Sequence, residues 1–124
     1  MTWRSPRKDT VNGILPELQE LQIRAQKVAA EGVADYGMHT DSWINGYSKE
    51  FSKRLAEEGW IGMTWPKKYG GSERSFLERY VLLEELLAAG APVGFHWIAD
   101  RQSGPLILRF GTEEQQKTIL PGIT

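Results

Sequence analysis

The sequence predicts an all-α fold, a helical bundle of about five helices. Three observations carry this. Apolar residues recur at steps of three and four at Ile14, Leu18, Leu21, Ala25 and Val28, the spacing of one helix face. Two capping boxes, Ser75 with Glu78 and Thr112 with Gln115, stand ahead of helical patterns; each can satisfy two orphan N–H groups reciprocally. Strand alternation is almost absent.

The first helix is predicted over residues 14–31. Asn12 is its candidate cap, Pro16 fits the first turn, and Gly32 is its candidate stop. Glu17, Glu20, Arg24 and Lys27 form a polar face expected to be solvated. Residues 33–46 lose the period and carry Gly37, Asp41, Ser42, Asn45 and Gly46, which reads as an irregular connection. A second helix is predicted over 48–58, with Tyr47, Phe51 and Leu55 spaced four apart, and Gly59 ends it. Residues 60–71, WIGMTWPKKYGG, hold three glycines and a proline that forbid a regular helix. Yet Trp60, Ile61, Met63, Trp65 and Tyr69 are large. That loop either packs into the bundle or borders a ligand or another domain.

The third helix, 76–89, is apolar around most of its circumference, and Gly90 and Pro92 end it. It is therefore central to a bundle or to an interface. The fourth, 94–110, contains Pro105, which removes the bond to the Arg101 carbonyl and predicts a kink near Ser103–Gly104. The fifth runs from Thr112 to Leu120, with Glu113 and Glu114 complementing its positive end. An exposed apolar patch is expected on the third helix or on the 60–69 loop.

Length and composition bound the function. A chain of 124 residues is one domain's worth, read as a basic tail over 1–9 and a single domain over 10–124. Lys plus Arg number 15 against 16 Asp plus Glu, a net charge of −1, without the basic footprint of a nucleic-acid binder. The absence of cysteine excludes a disulfide scaffold, a thiolate zinc site and a cysteine nucleophile. It fits a reducing cytoplasm, and no secretory leader or membrane span is read. The five tryptophans, Trp3, Trp43, Trp60, Trp65 and Trp97, suit a packed core, a ligand wall or a partner interface.

No self-contained catalytic site emerges. His39 and His96 lack metal-ligand spacing, and Asp35, His39 and Asp41 form no recognised cluster. The adjacent pairs Glu57–Glu58 and Glu84–Glu85 point about 100° apart on a helix, so they read as solvated or ion-paired. Tyr69-Gly70-Gly71 is a tight turn and not a phosphate cradle.

Three stretches in order carry a resemblance: LAEEGWIGMTWPKKYGG (55–71), LLEELLAAGAP (82–92) and FGTEEQQKTILPGI (110–123). Together they resemble the N-terminal helical domain of the acyl-CoA dehydrogenases across roughly residues 10–124. The run PVGFHWIADRQSGP (92–105) is most similar to bacterial members. The resemblance implies FAD-dependent α,β-dehydrogenation of acyl-CoA thioesters, as part of lipid catabolism, with electrons passed to an electron-transfer flavoprotein. It implies an oligomer with dehydrogenase subunits. The family's β-barrel and C-terminal helical domains, with the glutamate base and most of the flavin site, fall outside the matched residues. The chain is therefore expected to be inactive alone, and FAD binding by it alone is doubtful; no catalytic residue or metal ligand is assigned.

In the family, the fourth helix lines the acyl-chain pocket. The matching positions are Phe95, Ile98 and Gln102, which share one face. The alternative is that these three pack against the third helix. His96 and Asp100, four apart, are expected to pair with each other. Arg101 either reaches a CoA phosphate or makes a surface ion pair. For the chain as a whole, the rival reading is a non-catalytic helical interaction module derived from the same fold.

Overall fold

The structure is a computed structural model that describes residues 16–124. The tail over 1–9, Trp3, Asn12 and Ile14 lie outside the described residues. Helix α1 is Pro16–Tyr36, α2 is Lys49–Glu57 and α3 is Phe76–Ala89. Helix α4, Gly94–Ile98, continues through a π turn, Ala99–Ser103, into α5, Gly104–Phe110; α6, Glu113–Ile119, ends in a short 3-10 turn, Leu120–Gly122. Among the described residues there is no strand. No described helix is long and apolar enough to cross a membrane.

Helix α1 lies along α3. Their facing residues, Leu18, Leu21, Ala25 and Val28 from one and Val81, Leu82 and Leu86 from the other, are buried with Phe51 and Leu55 of α2. The first helix runs on through Gly32, contrary to the sequence expectation, and stops where Gly37 takes φ +90°. Gly32 is a packing position: a Cβ there would overlap the Phe51 ring. Tyr47 does not join Phe51 and Leu55 in the core. It precedes the α2 cap, Ser48, whose Oγ accepts from Phe51 N at 3.0 Å.

Both capping boxes form as predicted. The loop over 60–71 goes inward: Trp60, Ile61, Met63, Trp65 and Tyr69 are all buried. It is tied to the segment that follows it by Glu73 N to Trp65 O, 3.0 Å, and Arg74 N to Met63 O, 2.8 Å. Of the two places expected to expose apolar surface, only α3 does so, through Phe76, Leu77, Tyr80 and Leu87. A second cluster, Trp65, Tyr69 and Leu120, joins this loop to the C-terminal helices. Tyr69 Oη donates to Gln116 Oε1 at 2.8 Å, and Gln116 Nε2 donates to the Leu108 carbonyl at 3.1 Å. That bond satisfies a carbonyl at the end of α5 that its own helix leaves free.

The kink predicted from Pro105 takes the form of the π turn, in which Gly104 N donates to the Ala99 carbonyl. Pro105 then falls in the first turn of α5, where a missing N–H costs little. The widened turn carries Asp100 into the interior, where its Oδ1 accepts from Gly62 N at 2.6 Å.

Candidate functional site

Helix α4 buries one side and offers the other. His96 is buried, whereas Phe95 and Ile98 remain 42% and 53% exposed; Gln102, in the π turn, is exposed too. The three predicted site residues are thus all exposed, Phe95 and Ile98 on α4 and Gln102 in the π turn that follows it. Exposed Phe and Ile on a helix whose opposite side is anchored is an apolar strip available to another surface or ligand.

The Phe95 ring meets Tyr47 edge-on, with centroids 5.0 Å apart and planes at 75°, a favourable aromatic geometry. Phe95 also borders a groove of about 280 Å³ between α2 and the C-terminal turn, with Lys49, Lys53, Ile61, His96 and Ile123 among its walls. Ile98 and Gln102 are not in that groove. The structure therefore brings one predicted residue to a cavity and leaves two on the face beyond it. Tyr47 and the lysines were not legible as site residues, because nothing in their spacing ties them to position 95.

The expected pairing of His96 with Asp100 does not form. His96 Nδ1 shares a 2.8 Å hydrogen bond with Ser52 Oγ of α2. Asp100 spends its oxygen on Gly62. Burial lowers the His96 pKa to about 4, so the ring is neutral. Burial raises Asp100, opposed by the Gly62 N–H and by the fields of Arg79 and Arg101. Among the described residues Arg101 has no ion-pair partner; its guanidinium lies over the Trp97 ring, 4.7 Å from the centroid. Glu85, expected at the surface, is buried and accepts from Gln22 Nε2 at 3.0 Å. Glu58 is ion-paired as expected, held by Arg24 and Arg54.

Among the described residues no group of three His, Asp or Glu side chains is placed to hold a metal ion. The Gly70–Gly71 turn is filled by protein: a Cβ on Gly70 would meet Thr124, and one on Gly71 the Trp65 backbone. It is therefore not a cradle for the phosphates of a dinucleotide.

A family model described as the acyl-CoA dehydrogenase N-terminal domain matches residues 16–124. The acyl-CoA dehydrogenase FadE26 of Mycobacterium tuberculosis is 37% identical over 80 residues, covering 64% of this chain and 20% of that protein. Among solved structures, the Tcur3481-Tcur3483 steroid ACAD is 34% identical with a TM-score of 0.65, over 99% of this chain and 30% of that one. The ChsE4-ChsE5 complex from Mycobacterium tuberculosis is 27% identical with a TM-score of 0.69, over 89% and 28%. The chain thus spans between about a fifth and three tenths of the proteins it matches.

Proposed function

Because the chain belongs to the acyl-CoA dehydrogenase family through its N-terminal domain, we propose that its open α4 face forms one wall of an acyl-chain pocket. Phe95, Ile98 and Gln102 line that wall. The carrying observation is the exposure of Phe95 and Ile98 on a helix anchored by buried His96 and followed by a π turn that buries Asp100. An acyl tail gains roughly 0.8 kcal/mol for each CH₂ it buries there.

The reaction assigned to the assembled protein is α,β-dehydrogenation of an acyl-CoA thioester in the cytoplasm, in lipid catabolism. FAD would supply the acceptor for the two hydrogens that leave the substrate. The described residues contribute apolar wall; none is assigned as base or flavin ligand. The chain is inactive by itself and works with dehydrogenase subunits, and electrons pass to an electron-transfer flavoprotein. The likeness to the ChsE4-ChsE5 complex supports a partnered arrangement.

The test is anaerobic mixing of an acyl-CoA with the purified polypeptide that carries this domain, together with its dehydrogenase partners, reading flavin bleaching. Substrate-dependent bleaching, slowed for long chains by Phe95→Ala, is expected. Bleaching indifferent to positions 95, 98 and 102 contradicts the assignment of the wall.

A further inference from the structure

Away from the α4 face, a second concavity of about 400 Å³ is floored by Trp65, Pro105 and Leu108 and framed by Phe76, with Arg79, Arg101 and Arg109 around it. None of these arginines has a carboxylate within ion-pair distance among the described residues. The nearby carboxylates are engaged: Glu78 pairs with Arg74 and closes the Ser75 cap, and Asp100 is bound to Gly62. Each guanidinium is instead laid on an aromatic ring, Arg79 on Phe76, Arg101 on Trp97 and Arg109 on Phe110, at 4.7 to 5.2 Å. Such stacking holds the side chain extended and leaves its N–H fork free.

The surroundings are apolar. Phe76 is 71% exposed and Phe110 72%, and Tyr80, one turn on from Phe76, is open as well. Aromatics and arginines without lysine are the composition of protein–protein contact centres. The arginines stand around a concavity, which takes a protruding side chain and does not match a flat lipid surface. Three cations with no ion-pair partner among the described residues call for carboxylates opposite them.

We infer that this arginine-framed groove docks a polypeptide segment, presenting an apolar side chain to the Trp65–Leu108 floor and carboxylates to Arg79, Arg101 and Arg109. The inference does not depend on the acyl-wall assignment, since Phe95 and Ile98 lie outside the groove.

The probe is a short synthetic amphipathic helix with leucines on one face bordered by glutamates, titrated calorimetrically into the chain. A matched peptide with glutamine in place of glutamate is the control. Saturable binding is expected, weakened about tenfold or more by glutamine in the peptide and likewise by Arg79→Gln with Arg109→Gln in the chain. It should weaken further as salt rises. Unchanged thermal midpoints in the variants confirm folding. Absence of binding, or equal affinity for both peptides, overturns the inference. So does arginine-dependent capture by phosphatidylserine vesicles in preference to the peptide, full competition by inorganic pyrophosphate, or arginine-dependent self-association in place of peptide binding.

Discussion

Trp65 occupies the space that a side chain at Gly104 would need: a Cβ there would overlap the far edge of the indole. Trp65 is buried, and its backbone carbonyl is tied to Glu73, so the ring has nowhere to go. The π turn ends at this contact. Gly104→Ala is therefore expected to destabilise the fold by about 1–3 kcal/mol, the usual cost of overpacking. A urea titration followed by tryptophan fluorescence measures it, and an unchanged midpoint would show that the loop and α5 separate freely.

Gly32 repeats the arrangement inside α1. Helix propensity alone favours Gly32→Ala by about 1 kcal/mol. The overlap with the buried Phe51 ring opposes this and is expected to win, so that stability falls. Gly32→Ala combined with Phe51→Leu should lose less than the sum of the two single changes. Additive losses in a double-mutant cycle would mean that the two positions do not compete for space.

These two glycines show where the sequence was readable and where it was not. The capping boxes at Ser75 and Thr112 were legible because both partners lie within one turn, and the backbone decides the outcome locally. Gly32 looked like a stop because its real constraint comes from Phe51 on another helix. Ser52 as the partner of His96, and Gly62 as the partner of Asp100, are likewise set by packing over distance. Pro105 announced a disturbance, but its form, a π turn with Asp100 accepting from Gly62 N, involves a residue distant in sequence. At the site, Phe95, Ile98 and Gln102 were grouped through regular helical spacing, which the π turn interrupts before Gln102. Tyr47 was not, because a loop residue's direction has no period to read.

The buried Gln22–Glu85 bond, 3.0 Å, pins α1 to α3 within an apolar interface. Gln22→Leu removes the donor and leaves the carboxylate's oxygen unsatisfied, at a cost of about 1–3 kcal/mol. Gln22→Leu with Glu85→Leu removes both groups and should recover most of that loss. Chemical denaturation of the two single variants and the double one checks the non-additivity. A double variant as unstable as the sum of its parts contradicts this reading.

Acidification should also act through His96. Its pKa is about 4 in the fold against roughly 6.5 unfolded. The unfolded chain therefore binds the extra proton between those values. This contribution is fully present above about pH 6.5 and is lost as pH falls towards 4, up to roughly 3 kcal/mol. Asp100 works in the opposite sense: its raised pKa favours the fold at low pH and is lost as pH climbs through the raised value. His96→Asn should flatten the acid limb of a stability–pH curve, and Asp100→Asn, which keeps an acceptor for Gly62, should flatten the other. A curve of unchanged shape in both variants would contradict the burial of these groups.

We propose above that the open face of α4 meets an acyl chain. The most direct test is the chain-length dependence of kcat/KM for the assembled dehydrogenase that carries this domain, compared with the same assembly bearing Ile98→Ala. Ile98→Ala is expected to leave the shortest substrates unaffected and to lower kcat/KM for long ones by about tenfold, mainly through KM. A chain-length profile that shifts uniformly, or does not shift at all, would contradict it.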